Sequence, residues 1–444
     1  MCKMKDSGIE WIGNIPEKWN VSKIKYNTLI PITDGPHETP VFVDDGVPFY
    51  SVDGIQNEHL IYEPCRYISV EDADRYDKKI IPLYGDVLMG KAASVGKIAI
   101  IDKNIRMQVW SPLAIIRTDE TKLHNIFLKY YLLSDSAQTE IDLNSTTNTQ
   151  KNIAMEDIEN IVIVIPGIKE QQLIADFLDD KVGKVDEILV DLNNQVEILQ
   201  KYKKSVITKA VTKGLSPNVT MKDSGIDWIG VIPESWEMSK IKYKFGFLGG
   251  YAFDSDRFVD ETDFQVLRIG NVKDDNILFE ANPVYIEKDY IQPKFEVKKD
   301  YILFTMTGTR HKKDYFYTVC IDDEMLSKKK MYTNQRVGAF YKKEELISKY
   351  FSYLFKIENL RDNVFLYETG TVNQGNIGID TVGNTNIVVP SIEEQREIVD
   401  YLDDKCAKID ELIKDKQNQI EKMEKYKKSL IYEYVTGKKR VKGV

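Results

Sequence analysis

Residues 165–206 read IPGIKEQQLIADFLDDKVGKVDEILVDLNNQVEILQKYKKSV, and residues 389–430 repeat this stretch as VPSIEEQREIVDYLDDKCAKIDELIKDKQNQIEKMEKYKKSL. A second pair is closer: residues 4–26 read MKDSGIEWIGNIPEKWNVSKIKY and residues 221–243 read MKDSGIDWIGVIPESWEMSKIKY, with 18 of 23 positions identical. The offsets are 224 and 217 residues, so the repeating unit is as large as a domain and much longer than a solenoid repeat. The chain is therefore predicted to contain two similar modules, each followed by a long helix.

Apolar residues in both long segments occupy the a and d positions of a heptad repeat. Their spacing alternates between four and three residues, and Lys416 is the one interruption. A lysine stem can lie along such a seam while its ammonium group stays in water. Two matched seams in one chain favour packing of the helices on each other, although each seam could instead dock on its own domain. The predicted interface is formed by Leu178, Val182, Val185, Leu189, Leu192, Val196, Leu199, Leu402, Cys406, Ile409, Ile413, Ile420 and Met423.

The segments between the repeats combine short β-like runs with helical stretches near residues 122–135 and 343–358. A strand-like run that ends at a proline precedes each long helix. We therefore predict an α+β fold with two globular domains in pseudo-twofold repeat. The two inserts share few sequence runs, which suggests that one framework carries two different functions. The predicted segments are 1–20 (N-terminal framework), 21–165 (first domain), 166–214 (central helix), 215–236 (linker repeat), 237–389 (second domain) and 390–444 (C-terminal helix and basic tail).

Composition limits the class of protein and of site. The 444 residues carry a formal net charge of −9, so any nucleic-acid site must be a local basic patch on an acidic body. The four cysteines and four histidines are too scattered for a disulfide framework or a zinc site. No apolar run reaches the length of about 18 residues that a spanning helix needs, and the first residues lack the apolar core of a secretion signal. We therefore expect a cytoplasmic chain that binds no metal and no membrane.

Motifs of catalysis are incomplete in this sequence. Residues 85–92 nearly form a P-loop, but Ala92 stands where the magnesium-binding hydroxyl is required. Residues 282–285 read NPVY, which differs from the NPPY loop of amino-methyltransferases and follows no Gly-rich cofactor loop. The chain is therefore predicted to be non-catalytic and to bind no cofactor of its own.

Several phrases occur in a fixed order along the chain. They are D-S-G-I-E/D-W-I-G-x-I-P-E-x-W at 6–19 and 223–236, T-D-G-x-H-x-T-P at 33–40, G-D-V-L at 85–88, V-L-R-I-G-N-V at 266–272, T-G-T at 307–309, N-Q-R-V at 334–337 and Q-x-N-I at 150–153 and 374–377. This ordered and doubled set resembles the specificity (S) subunit of type I restriction–modification systems over essentially the whole chain. One departure is that residues 299–303 read KDYIL where the phrase G-D-I-L usually stands.

The resemblance implies two target-recognition domains, each reading one half of an asymmetric bipartite site on double-stranded DNA. It implies that the two long helices pair as an antiparallel coiled coil, set the spacing between the domains and dock two methyltransferase subunits. A restriction and translocase subunit joins this core when present. S-adenosylmethionine would be bound by the partner methyltransferase, and the S subunit itself would carry no active site.

Candidate DNA contacts follow from the chemistry of the two kinds of contact. Phosphates are bound by Lys, Arg, hydroxyl and backbone N–H groups, and base edges by Arg, Lys, Asn and Gln. The segment 307–313 is the strongest candidate, because it combines four potentially cationic side chains with a glycine and two hydroxyls. A solvated loop is the alternative there, local turn contacts are the alternative for Arg268 and Asn271, and a turn histidine is the alternative for His37. The predicted contacts are Thr33, Asp34, Gly35, His37, Lys91, Ser94, Lys97 and Gln108 in the first domain, and Arg257, Arg268, Asn271, Thr307, Gly308, Thr309, Arg310, Lys312, Lys313 and Arg336 in the second.

Two other classes of function stay open at the level of sequence. The chain could be a stand-alone DNA-binding or anti-restriction protein that needs no methyltransferase. It could also be a coiled-coil adaptor whose domains bind protein. A basic surface on both domains would argue against the adaptor.

Overall fold

The computed structural model describes residues 3–147 and 150–441, so the predicted N-terminal framework, first domain and C-terminal tail each extend beyond the described residues at 1–2, 148–149 and 442–444. The strands of the first half are β1 (Met4–Asp6), β2 (Asn14–Pro16), β3 (Asn20–Lys23), β4 (Thr33–Asp34), β5 (Phe42–Val43), β6 (Val47–Tyr50), β7 (Ile55–Gln56), β8 (His59–Leu60), β9 (Arg66–Ile68), β10 (Val87–Gly90), β11 (Ile98–Ile100), β12 (Gln108–Val109), β13 (Leu113–Ile116), β14 (Thr146–Thr147), β15 (Lys151–Asn152) and β16 (Val162–Ile165). Its helices are α1 (Val70–Asp77), α2 (Asn125–Leu133), α3 (Asp135–Leu143), α4 (Met155–Asn160) and α5 (Ile168–Lys213).

The second half contains a similar series of elements. Its strands are β17 (Met221–Asp223), β18 (Val231–Pro233), β19 (Glu237–Lys240), β20 (Phe245–Leu248), β21 (Phe258–Val259), β22 (Phe264–Leu267), β23 (Val272–Lys273), β24 (Asn276–Ile277), β25 (Tyr285–Ile286), β26 (Ile302–Thr305), β27 (Thr307–Gly308), β28 (Thr318–Cys320), β29 (Lys330–Thr333), β30 (Val337–Lys342), β31 (Thr369–Gly370), β32 (Gly375–Asn376) and β33 (Asn386–Val389). Its helices are α6 (Ile241–Lys244), α7 (Asp323–Lys328), α8 (Ser348–Phe355), α9 (Glu358–Phe365), α10 (Ile379–Asn384) and α11 (Ile392–Val435). Helix α7 lies at a different place in the order from α1.

The chain forms two compact units. Unit 1 comprises the described residues up to Asn194 together with those from Lys416 onwards, and unit 2 comprises Gln195–Asp415. Each unit therefore contains one globular domain, part of α5 and part of α11. Among the described residues, no helix is long and apolar enough to cross a membrane.

The two units have the same sheet topology, although their inserts share little sequence. One four-stranded sheet has the order β11-β10-β13-β4 in unit 1, and the order β28-β26-β30-β20 in unit 2 matches it strand for strand. The other sheet has the order β12-β6-β9-β5 in unit 1 and β29-β22-β25-β21 in unit 2. In both units this second sheet contains one parallel pair, β12 with β6 and β29 with β22. The inserts are thus two versions of one fold.

The repeated phrases of the sequence occupy equivalent places in the two units. Trp19 and Trp236 are each 1% exposed within the core of their unit. Gln171 and Gln395 are buried at the starts of α5 and α11, and each side-chain amide donates to the carbonyl of the proline that precedes the helix. Each side-chain oxygen also accepts a backbone N–H from the globular domain, at 2.8 Å for Gln171 and 3.0 Å for Gln395. These buried contacts join each long helix to its own domain.

The predicted N-cap of α11 is present, with Ser391 Oγ accepting the backbone N–H of Glu394 at 3.3 Å. The Glu394 carboxylate accepts from Trp236 Nε1 at 3.2 Å rather than returning to the cap as in a complete capping box. The cap therefore also ties α11 to the framework tryptophan.

The long helices contact each other within each unit, as the heptad seam predicted. All predicted seam residues are buried or half-buried. In unit 1 the rings of Phe177 and Tyr434 are 4.5 Å apart, and Lys427 Nζ lies 2.8 Å from Asp186. The numbers run in opposite directions along α5 and α11, so the helices are antiparallel there. The predicted α+β architecture with paired long helices is confirmed.

Candidate nucleic-acid interface

In unit 1 the predicted loop is organised around the buried carboxylate of Asp34. β4 places Asp34 opposite Ala114 of β13. The carboxylate accepts a hydrogen bond from Lys79 Nζ at 2.6 Å, and lies 2.8 Å from Lys91 Nζ and 3.3 Å from His37 Nε2. Burial raises the pKa of Asp34, but the hydrogen bonds and charges of Lys79 and Lys91 outweigh it and hold that pKa below its ordinary value. One internal acid therefore gathers three basic side chains beside the loop, and we call these three residues the Asp34 cluster.

The other predicted residues of unit 1 divide between surface and interior. Lys97 is exposed and donates to Ile55 O at 3.0 Å, while Ser94 and Thr33 are half-buried. Gly35 packs so closely on β12 that a Cβ there would lie 1.7 Å from the Val109 carbonyl oxygen. Gln108 is fully buried and donates to Asp77 Oδ1 at 2.6 Å and to Ile80 O at 3.0 Å. Its side chain is thus engaged inside the protein.

In unit 2 several predicted residues line one open cleft of about 360 Å³. β27 continues from β26 and pairs with β32, which places Thr307, Gly308 and Thr309 along one wall. Arg336 lies in the turn between β29 and β30, and its carbonyl accepts the Met306 N–H at 3.0 Å. A Cβ on Gly308 would lie 2.6 Å from the Tyr315 ring, so the wall requires glycine at this position.

The cleft also contains residues that the sequence did not single out. Lys273 lines it with its ammonium nitrogen 4.6 Å from the centre of the Tyr317 ring, and Gln374 lines it from the loop between β31 and β32. The Oγ1 atom of Thr307 is buried and has no hydrogen-bond partner in the described part of the chain. Asp314 is the acid of the cleft, and its carboxylate accepts the backbone N–H of Thr309 at 2.7 Å.

The basic side chains after Thr309 differ in how strongly the protein holds them. Lys313 Nζ forms an ion pair with Asp362 at 2.5 Å, whereas Lys312 is exposed and pairs with no carboxylate among the described residues. Arg310 Nη1 lies 3.5 Å from Gly370 O and 3.4 Å from Thr371 O. Lys312 and Arg310 therefore remain available to an anion.

The three remaining candidates of unit 2 are held by neighbouring groups. The Arg257 guanidinium carbon lies 4.8 Å from the centre of the Tyr290 ring. Arg268 Nη2 donates to Asn282 O at 2.6 Å. Asn271 is buried, donates to Leu278 O and Ala281 O, and accepts the Arg268 N–H, so it makes the local turn contacts that were its alternative. The sequence does not separate such turn contacts from groove contacts, since both use the same residue types.

The shared fold allows a residue-by-residue comparison of the two surfaces. Ile153 and Ile377 are the last residues of the two Q-x-N-I phrases. The Ile153 N–H donates to the Lys91 carbonyl, and the Ile377 N–H donates to the Met306 carbonyl. The Lys91 N–H donates to Pro112 O, and the Met306 N–H donates to the carbonyl of the arginine at 336. Lys91 thus corresponds to Met306, and Pro112 to Arg336. The two units hold their basic side chains at different places of one scaffold.

The framework surface, in contrast, is nearly the same in both units. In the turns after β1 and β17, Gly8 N donates to Asp6 Oδ1 at 2.9 Å and Gly225 N to Asp223 Oδ1 at 3.0 Å. Tyr26 and Tyr243 are both 64% exposed. Each of these rings has the ammonium nitrogen of the preceding lysine 5.4 Å from its centre. Burial in the core does not account for this duplicated exposed chemistry. Among residues 3–147 and 150–441, no group of three or more His, Cys, Asp or Glu side chains could hold a metal ion.

Comparisons with known proteins agree with these features. A family model, the type I restriction modification DNA specificity domain, matches residues 16–198 and 233–422. The type I restriction enzyme MjaVIII specificity subunit of Methanocaldococcus jannaschii is 28% identical over 97% of this chain and 95% of its own length. The type I restriction enzyme EcoBI specificity subunit of Escherichia coli is 22% identical over 72% of this chain and 67% of its own length. A chain solved in work on complex assembly and conformational transition of the type I R-M system matches 95% of this chain and 98% of its own at a TM-score of 0.67 and 12% identity, a likeness of fold.

Proposed function

Because the chain belongs to the family of type I restriction–modification DNA specificity subunits, we propose that its two target-recognition domains read the two halves of an asymmetric bipartite site. As a specificity subunit the chain is itself non-catalytic and carries no cofactor. The proposal assigns the two domains to residues 21–165 and 237–389, and the helices that set their spacing to 166–214 and 390–444.

One observation carries this proposal: the two units share a strand order but differ in chemistry at equivalent positions. A lysine in unit 1 corresponds to Met306, and a proline corresponds to Arg336. Base edges are distinguished by the donors and acceptors placed opposite them. Two readers with one fold and different side chains therefore favour two different half-sites.

Within each domain, we assign DNA contacts to a subset of the exposed and half-buried residues. In unit 1 these are the Asp34 cluster with Lys97 and Ser94, and in unit 2 they are Arg310, Lys312, Arg336 and Thr309. Asp34, Gln108 and Asn271 are buried, so their role in this proposal is to position neighbouring groups. Lys79 joins the contacts although its sequence position, directly after α1, carried no signal.

The duplicated framework surface supports docking of two copies of one partner, the methyltransferase subunit. A partner that binds Tyr26 and its lysine in unit 1 would find the same pair at Tyr243 in unit 2. S-adenosylmethionine would be bound by that partner. A restriction and translocase subunit would join the same complex. The complex would act on DNA in the cytoplasm.

Methylation of a DNA library tests this proposal. The chain is co-expressed with its candidate methyltransferase, and methylated bases on a plasmid library are found by single-molecule sequencing. We expect one bipartite motif with a methylated adenine in each half. A stable complex that methylates no motif would contradict the reading role of the domains.

A further inference from the structure

The tip of the hairpin formed by β31 and β32 carries an unusually exposed apolar side chain. Val372 is 88% exposed, more than any other large apolar side chain of the described residues. It lies in the four-residue connection 371–374. An apolar group this exposed is costly to leave in water, since burial of each methylene is worth about 0.8 kcal/mol. A ligand that covers Val372 would recover this free energy.

The hairpin that presents Val372 is tightly built. The Thr371 N–H donates to Gln374 O at 2.9 Å across the tip. Gly370 has a φ of +131°, and a Cβ there would lie 2.0 Å from the Gln374 carbonyl oxygen. A Cβ on Gly375 would lie 2.1 Å from the Glu368 carboxylate. Gly370 therefore lets the two ends of the tip close on each other, and Gly375 leaves room for the Glu368 carboxylate.

Basic groups lie near this tip. Arg310 Nη1 lies 3.4 Å from the Thr371 carbonyl, and Gln374 lines the cleft that contains Lys273 and Arg336. Asp314 also lines this cleft and the Glu368 carboxylate lies beside Gly375, but neither forms an ion pair with Arg310, Lys273 or Arg336 among the described residues. The apolar tip thus lies beside a group of cations, and this arrangement complements an apolar group that lies next to a phosphate.

We infer that this hairpin enters the major groove and that Val372 contacts the C5-methyl group of a thymine in the half-site read by unit 2. The inference rests on the proposed function. β31 and β32 belong to a three-stranded sheet with β27, and strands of a small sheet can read the major groove. Thymine alone among the bases presents a methyl group there. The neighbouring cations would contact phosphates at the edge of the groove. Val372 is then a specificity-determining residue.

The first repeat has a different residue at the position aligned with Val372. Aligned on Q-x-N-I, the four residues TVNQ at 371–374 correspond to TNTQ at 147–150. Asn148 thus replaces Val372, although it lies outside the described residues. The thymine contact is therefore assigned to one half-site and not to the other.

The test uses the complex of the chain with its methyltransferase and a set of duplexes. Each thymine of the half-site is replaced in turn by deoxyuridine, which removes only the C5-methyl group. For the wild-type complex, one replacement should lower the methylation rate roughly fourfold, the value of one buried methyl group. Val372→Ala should lower the rate on thymine DNA roughly 4- to 15-fold and abolish the effect of that replacement.

Matched variants give the test its controls. Leu366→Ala changes another exposed apolar residue, 76% exposed beside α9, and should leave all rates unchanged. Val372→Ile should retain sensitivity to deoxyuridine, and Val372→Asn, which introduces the residue found at the aligned position 148, should lose it. Purified complexes of equal subunit ratio and equal melting temperature exclude misfolding as the cause.

Two outcomes would overturn the inference while leaving the proposed function intact. One is additive effects of the deoxyuridine replacement and Val372→Ala, since two groups in contact cannot act independently. The other is loss of methyltransferase from the complex with unchanged base preference, which would make the tip a protein contact. Absence of any bipartite methylation by the wild-type complex would instead reject the proposed function.

Discussion

The ion pairs of Asp34 allow two lysine side chains of like charge to lie close together. Lys79 and Lys91 would repel each other beside the loop, but a buried carboxylate within 2.8 Å of both ammonium groups compensates this repulsion. Because the folded-state pKa of Asp34 is depressed, its ionised form stabilises the fold. This stabilisation is present above the ordinary pKa of an aspartate and is lost as the pH falls through the depressed folded-state value.

Asp34→Asn should lower the free energy of unfolding at pH 7 by about 1–2 kcal/mol, because the amide loses the charge that pairs with two lysines. The difference from the wild type should shrink as the pH falls below about 5, where the unfolded-state carboxylate begins to bind protons. Urea unfolding of both proteins between pH 7 and 4 measures this. The exposed Asp45→Asn is the matched control and should differ little from the wild type at any pH. A difference for Asp34→Asn that stays constant with pH would exclude the assigned role.

At this scale the sequence identifies residue types but not their partners. Lys91 could be selected because its residue type is typical of phosphate contacts, and His37 because it lies in the predicted loop. Lys79 could not, because only folding brings α1 beside β4 and directs its ammonium group to the Asp34 carboxylate. The same limit applies to the carboxylate itself, which the sequence treats as an exposed polar group and the fold buries.

Among the elements, the long helices and the strands before them were predictable and most of the short strands were not. The helical segment predicted over 166–214 is α5, Ile168–Lys213, because a heptad pattern is local information that extends over several turns. The strands of the inserts are two to four residues long in most cases, and their pairing joins distant residues. The common topology of the inserts was therefore hidden from the sequence.

The ion pairs between the long helices give a matched comparison of two elements. Lys427 Nζ lies 2.8 Å from both Asp186 and Glu58, and its side chain is 12% exposed. Burial lowers the pKa of Lys427, but the two carboxylates outweigh burial and hold this pKa above its ordinary value. Its counterpart in the repeat, Lys203, is 25% exposed and pairs with Asp410 alone.

Lys427→Ala should lower the free energy of unfolding by about 2–3 kcal/mol, since it leaves two partly buried carboxylates facing each other. Lys203→Ala removes the same side chain at the equivalent position, but breaks only one, more exposed ion pair. It should therefore lower the free energy of unfolding by about 1 kcal/mol or less. Urea unfolding of the two variants under the same conditions makes the comparison. Equal losses of unfolding free energy in the two variants would mean that the ion pair of Glu58 adds nothing to the contact between the hairpin of β7 and β8 and the long helices.

Across the whole molecule, an acidic chain concentrates basic groups at two non-equivalent surfaces. The net charge of −9 leaves little general attraction for DNA, and the proposed function therefore assigns recognition to the Asp34 cluster and to the cleft of unit 2. The doubled framework and the non-catalytic class were readable from the sequence, because motif order and motif absence are properties of the whole chain. The position of each basic surface required the fold.

Exchange of residues 237–389 for those of a related specificity subunit should change one half of the methylated motif and leave the other half unchanged. These boundaries keep β19 with β33 and the complete hairpin of β31 and β32, so that no strand loses its partner. Sequencing of methylated bases reads both halves in one experiment. A change in both halves would contradict independent reading by the two domains.

The near-identity of the two frameworks also bears on how the chain reaches its native state. β3 pairs with β16 and β19 pairs with β33, but the two framework strands lie in such similar sequences that either could nucleate on the wrong partner. On the ribosome β16 is complete 72 residues before β19 begins, which is roughly 4–14 s at a synthesis rate of about 5–20 residues per second. Vectorial synthesis thus lets the first framework close before its competitor exists. Renaturation from urea removes this temporal order, so strand-exchanged, kinetically trapped species are the expected by-product.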